Sequence, residues 1–157
     1  MTKSNAPLLT RRTLLSGGAV VVAAGAGGWW ISQRYRPPHD NAGLSVREAF
    51  DQAASDEVLL VDIRTPIEWQ RTGLPQGAVP LDMRRPDFTT ELLQLTGGAA
   101  DRPVALICAG GVRSARLSLR LSEAGFTQII DVPEGIFGSA AGPVWLNSKL
   151  PVTDWQG

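Results

Sequence analysis

A chain of 157 residues with 15 basic and 15 acidic side chains has room for one ordinary domain plus a tail, and no overall field draws it to nucleic acid. With 43% hydrophobic residues and a single cysteine, it is neither a disordered segment nor a disulfide scaffold. The lone histidine, His39, stands in Pro37-Pro38-His39-Asp40 with no second soft ligand near it in sequence, so neither a metal centre nor a cofactor is expected.

Residues 1–36 read as a signal sequence or transmembrane anchor with an apolar core over 14–31, to be set apart from the fold. Thr10-Arg11-Arg12-Thr13-Leu14-Leu15-Ser16 opens a charge-free stretch that reaches Gln33, and this order resembles a twin-arginine export signal. Two outcomes are open. Ala24-Gly25-Ala26 offers a small-x-small cleavage site. Alternatively, Leu14 to Ile31 stays as a helix rising about 27 Å, enough for a hydrocarbon core, with Trp29, Trp30 and Tyr35 at its interface. Lys3, Arg11 and Arg12 with the amino terminus outweigh Arg34 and Arg36, so the tail stays cytoplasmic and the domain crosses. The expected location is periplasmic or extracytoplasmic, anchored or released.

Residues 37–43 form a polar linker, and 44–157 the folded domain. Ser45-Val46-Arg47-Glu48 has the capping-box pattern and opens a helix through Ala54. Val58 to Asp62 is an apolar run of strand length, followed at once by a second capping box, Thr65-Pro66-Ile67-Glu68, with proline at the first helical position. Gly73 to Pro80 is rich in turn residues around a short strand near Ala78-Val79. A helix is expected over Asp87 to Leu95, ended by Gly97-Gly98, then a buried strand over Val104 to Ile107. A helix over Ser114 to Ala124, stopped by Gly125, precedes a last strand over Gln128 to Val132. Strands alternating with helices imply a parallel α/β sheet covered on both faces, whose binding edge lies at the carboxyl ends of the strands. Asp62 and Cys108 both end strands and fall on that edge.

Cys108 carries the chemistry. An apolar strand, a thiol, Ala109-Gly110-Gly111 and then a helix beginning near Arg113-Ser114 make a loop whose N–H groups can turn inward around sulfur. Such a nest, backed by a helix N-terminus, holds negative charge on or beside the sulfur. Glycine lets the backbone adopt the positive φ that a tight nest needs. Arg113 completes the cradle or steers an anionic donor, against the bland alternative of an exposed first-turn residue. Asp62 and Arg64 at the strand end are read first as a pair fixing loops below the site. Trp69 and Trp145 are read as packing residues.

The ordered set of motifs resembles a single-domain rhodanese. It runs from Val61-Asp62-Ile63-Arg64-Thr65-Pro66-Ile67-Glu68-Trp69 through Gly73 to Pro80 and Cys108-Ala109-Gly110-Gly111-Val112-Arg113-Ser114. It continues through Gly125-Phe126 and Glu134 to Ser139, then Trp145 and Leu150-Pro151-Val152. The resemblance implies a five-stranded parallel sheet flanked by helices, here preceded by an apolar N-terminal helix, and sulfane-sulfur transfer through a cysteine persulfide. Carried onto this chain, Cys108 is the nucleophile, Ala109, Gly110, Gly111, Val112, Arg113 and Ser114 form the cradle, and Asp62, Arg64 and Glu68 support it. The implied partners are a small donor (thiosulfate, persulfide or polysulfide) and a thiol or cyanide acceptor, or a protein sulfur carrier.

Two other readings compete. A cysteine phosphatase needs five residues between cysteine and arginine to clasp a tetrahedral oxyanion, whereas four separate Cys108 from Arg113. A non-catalytic or redox-sensing module at the membrane would use Cys108 with an external thiol, since the chain holds no resolving cysteine.

Overall fold

The computed structural model describes residues 43–138 and 140–157. The signal or anchor expected over 1–36 and the linker up to residue 42 lie outside the described residues. Among the described residues no helix is long and apolar enough to cross a membrane.

Local sequence sets the helix starts. Helix α1, Val46–Ala54, begins at the expected capping box. The Ser45 hydroxyl accepts from the Glu48 N–H at 3.3 Å, and the Glu48 carboxylate accepts from the Ser45 N–H at 2.8 Å. A further orphan donor of that first turn, the Val46 N–H, is taken by the Glu134 carboxylate at 2.7 Å, from a loop far along the chain. Helix α2, Pro66–Thr72, repeats the device with Thr65 and Glu68, with proline in its first turn.

Strands β1 (Leu59–Asp62), β3 (Val79–Pro80), β4 (Val104–Ile107) and β5 (Ile129–Val132) make one parallel sheet in the order β3-β1-β4-β5. Side chains alternate across it. Leu60, Ala105 and Ile107 pack with Val46 and Ala49 of α1 and with Trp145. On the opposite face Val61 and Leu106 pack with Phe88 and Leu92 of helix α3, Phe88–Leu95, and Leu117 and Leu121 of helix α4, Val112–Glu123. Both faces are covered, which is why the central strands read as unbroken apolar runs. Each fully buried aliphatic side chain in these layers stabilises the fold by about 1.5–3 kcal/mol.

Three expectations need correction. Among the described residues the sheet has four strands, where five were expected. Beside β5 the chain makes a single parallel bridge at Gly43, with the Leu44 N–H donating to the Asp131 carbonyl at 3.0 Å. The capping box at Ser45 then opens α1. Helix α4 begins at Val112 rather than Ser114, because Gly111 in the left-handed region (φ 79°) ends the loop two residues earlier. Finally, the turn-rich passage after α2 contains a strand β2, Leu74–Pro75, that pairs antiparallel with a strand β6, Val152–Thr153, near the C-terminus. Two-residue strands flanked by proline leave no periodic signal.

Candidate active site

Cys108 follows directly on β4, whose Ile107 pairs with Asp62 on one side and Val132 on the other. The thiol therefore sits at the carboxyl edge of a central strand, where parallel sheets place their sites. It is 1% exposed, so a reactant meets it through the loop above rather than across open surface. The Gly111 N–H donates to Sγ at 3.2 Å, and the Ser114 hydroxyl lies 3.5 Å from it. Both groups belong to the junction where loop becomes helix.

The loop is closed by contact with a second one. A Cβ at Gly110 would lie 1.9 Å from the Gly138 carbonyl oxygen, and one at Gly111 would lie 2.1 Å from that of Pro133. Both positions thus demand glycine for close approach, and Gly111 for its positive φ as well. The Ala109 carbonyl accepts from the N–H groups of Ile136, Phe137 and Gly138 at 3.0, 3.1 and 3.2 Å.

Arg113 crosses from α4 to α2. Its guanidinium donates to both Glu68 oxygens, at 2.9 and 2.5 Å, in a bidentate pair about a quarter to a third exposed, at 33% for Arg113 and 23% for Glu68. Glu68 thus holds two positions at once, since its carboxylate also accepts from the Thr65 N–H at 3.1 Å as a helix cap. Partial burial pushes the Glu68 carboxyl up, but hydrogen bonds from Arg113 and Thr65 and the Arg113 charge outweigh it, leaving the pKa at about 2. Arg113 is held above the ordinary arginine value, first by its bonds to Glu68, against burial, with further support from the Cys108 sulfur.

Asp62 and Arg64 are fully buried and paired at 2.6 Å. Arg64 also donates to the Thr72 hydroxyl at 2.7 Å and the Gly73 carbonyl at 2.8 Å. The pair ties the end of β1 to the end of α2, the helix that carries Glu68. That is a brace beneath the site, and its charges are spent within it.

A profile described as the rhodanese-like domain matches residues 45–141, more than half of the chain. The chain belongs to the rhodanese-like family. A sulfurtransferase of Allochromatium vinosum is 29% identical over 105 residues, 67% of this chain and 87% of that protein. A tRNA uridine(34) hydroxylase of Chlamydia abortus is 31% identical over 117 residues, which are 71% of this chain, but this chain spans only 35% of that protein's length. In solved structures the same fold recurs in the polysulfide-sulfur transferase homodimer of Wolinella succinogenes, at TM-score 0.56 and 23% identity over 88% of this chain and 93% of that one. It recurs also in a thiosulfate sulfurtransferase of Pseudomonas aeruginosa, at TM-score 0.58 and 18% identity over 74% of this chain and 21% of that one.

Within this rhodanese-like domain the structure brings Gly111 and Ser114 to the Cys108 sulfur and Glu68 to Arg113. Ala109 and Gly110 complete the loop and Val112 opens α4, with the Ala109 carbonyl turned onto residues 136–138. Asp62 and Arg64 bond to each other, Thr72 and Gly73 instead. Trp69 and Trp145 are buried packing residues. The sequence reading missed the back wall, Pro133 to Gly138. Its signal was present: Glu134-Gly135 follows β5, which neighbours β4 and ends on the same edge.

Proposed function

We propose that this protein is a sulfurtransferase in which Cys108 carries sulfane sulfur as a persulfide between a donor and a thiophilic acceptor. One observation carries the reading: the Gly111 N–H donates to Sγ at 3.2 Å where the loop turns into α4. Membership of the rhodanese-like family and the sulfurtransferase relative support it.

In the first step the Cys108 thiolate attacks the outer sulfur of the donor. A new S–S bond forms, the donor's own bond to that sulfur breaks, and the leaving group departs with the electron pair. That group is sulfite from thiosulfate, a thiolate from a persulfide, or a shortened chain from a polysulfide. The acceptor, cyanide or a thiol, then attacks the outer sulfur of the persulfide and returns the thiolate. Splitting one transfer into two displacements is covalent catalysis, and the fixed amides stabilise the anionic sulfur in both.

Every guanidinium described beside this site is paired: Arg113 with Glu68, Arg64 with Asp62, and Arg84 with Asp82 at 2.6 Å. A rim so neutralised favours a donor of low charge, a singly charged organic persulfide, over the thiosulfate dianion. We place this chemistry on the extracytoplasmic side, on the strength of Arg11-Arg12 and the apolar stretch behind them. Cell fractionation with intact mass of the purified chain tests the placement; recovery of the full-length chain from the cytoplasmic fraction alone contradicts it.

The test of activity is the initial rate of sulfur transfer to cyanide, above the uncatalysed rate, with cysteine persulfide and with thiosulfate. Turnover above that rate is expected with both, faster with cysteine persulfide, and is lost in Cys108→Ala. Equal rates in that variant and the wild type would remove the proposal.

A further inference from the structure

We propose that Ile136, Phe137 and Gly138 are positioning residues for the sulfur site: their N–H groups fix the Ala109–Gly110 peptide so that the Gly110 N–H faces the cradle and donates to the outer sulfur of the persulfide. The inference rests on the sulfur-transfer reading above and assigns a function to a loop outside the Cys108 segment.

Three amides converge on one carbonyl oxygen, that of Ala109, at 3.0, 3.1 and 3.2 Å. In a planar trans peptide the C=O and the following N–H point in opposite directions. Holding the Ala109 oxygen against residues 136–138 therefore sends the Gly110 N–H away from them. The preceding peptide is anchored in the same way, since the Cys108 carbonyl accepts from the Ile136 N–H at 3.0 Å.

Sterics leave the arrangement no slack. The Gly138 carbonyl presses on Gly110 and the Pro133 carbonyl on Gly111, where a Cβ would come within 1.9 and 2.1 Å. In return Gly135, at φ 67°, lies where a Cβ would come within 2.6 Å of the Ala109 oxygen. Three glycines from two loops interlock around one peptide. The positive φ at Gly135 turns the chain back so that the next three N–H groups reach that oxygen.

The chemistry gives this lock a use. The Gly111 N–H already serves the Cys108 sulfur. A persulfide adds a second sulfur, which bears the negative charge and needs donors of its own. The adjacent N–H, that of Gly110, is the one whose direction the second loop controls. Preorganised donors cost no reorientation when the charge arrives.

The test uses the full chain, labelled with nitrogen-15 and loaded with inorganic tetrasulfide, with loading followed as a mass gain of about 32 Da, one sulfur atom. In the wild type the Gly110 and Gly111 amide signals are expected to move downfield on loading. In Gly135→Ala the Gly110 movement falls by at least half, and kcat for tetrasulfide-to-cyanide transfer drops about tenfold while KM changes less than about twofold. Gly97→Ala is the matched control, because Gly97 has a similar φ of 69° but open space around it; it carries the same backbone strain and keeps wild-type kcat. A Gly110 amide that ignores loading in the wild type, with the mass gain present, overturns the inference and leaves sulfur transfer standing. Absence of any mass gain overturns sulfur transfer itself and the inference with it. Should Gly135→Ala fail to fold, the wild-type spectra still decide.

Discussion

Gly110→Ala isolates packing from backbone preference at the centre of the site. Gly110 has no positive φ, so alanine meets no left-handed penalty there; its conflict is with the Gly138 carbonyl, oxygen 1.9 Å and carbon 2.9 Å from the new Cβ. Restoring ordinary contact, beginning near 3.4 Å, requires the two loops to part by about 1.5 Å. Misplacement of about 1 Å in a preorganised site costs about a hundredfold in rate, equivalent to about 2.7 kcal/mol of transition-state stabilisation. Overpacking of this kind costs about 1–3 kcal/mol of folding stability, small enough for the variant to remain folded. The assay is kcat/KM for tetrasulfide-to-cyanide transfer, with thermal melting of the same samples. A folded Gly110→Ala protein retaining activity within about threefold of wild type would refute the claim that loop contact sets the cradle.

Removing one member of the buried Asp62–Arg64 pair, as in Asp62→Ala, leaves an uncompensated interior charge and should cost about 3–5 kcal/mol in denaturant unfolding, whereas Asp62→Leu combined with Arg64→Met should recover most of it. A single variant as stable as wild type would contradict the brace described here. Glu68 has a folded pKa of about 2, below its ordinary 4.5, so its contribution is complete above pH 4.5 and is lost as pH falls toward 2. Glu68→Gln should therefore show a shallower loss of melting temperature across that window, and an unchanged slope would contradict the Glu68–Arg113 pairing. Ser45→Ala removes the cap of α1 and should lower stability by about 1 kcal/mol; an effect below a few tenths would show the cap to be redundant with the Glu134 bond to Val46.

What could be read from the sequence was what short-range physics determines. Both capping boxes gave their helix starts directly, because the partners lie three residues apart. The apolar runs of β1 and β4 gave a parallel sheet covered on both faces, and with it the edge where Cys108 stands. What escaped depends on contacts distant in sequence. Glu68 announced itself as a cap, but nothing local indicates that its carboxylate also binds Arg113, 45 positions on. Strand β6 exists only because β2 lies beside it. Among the described residues the place of a fifth strand is held by a single bridge from Gly43 to Asp131, which no local pattern announces. Residues 136–138 entered only as part of the family resemblance, and their service to the Ala109 carbonyl follows from β4 and β5 being neighbours.

Whether Cys108 carries a persulfide is decided most directly by a single-turnover experiment with a donor carrying radioactive sulfane sulfur at its outer position. Wild-type protein freed of excess donor by gel filtration should retain about one labelled sulfur per chain and surrender it to cyanide as thiocyanate, while Cys108→Ser retains none. Label that stays with the Cys108→Ser chain, or that cyanide fails to remove from the wild type, would contradict a persulfide at Cys108.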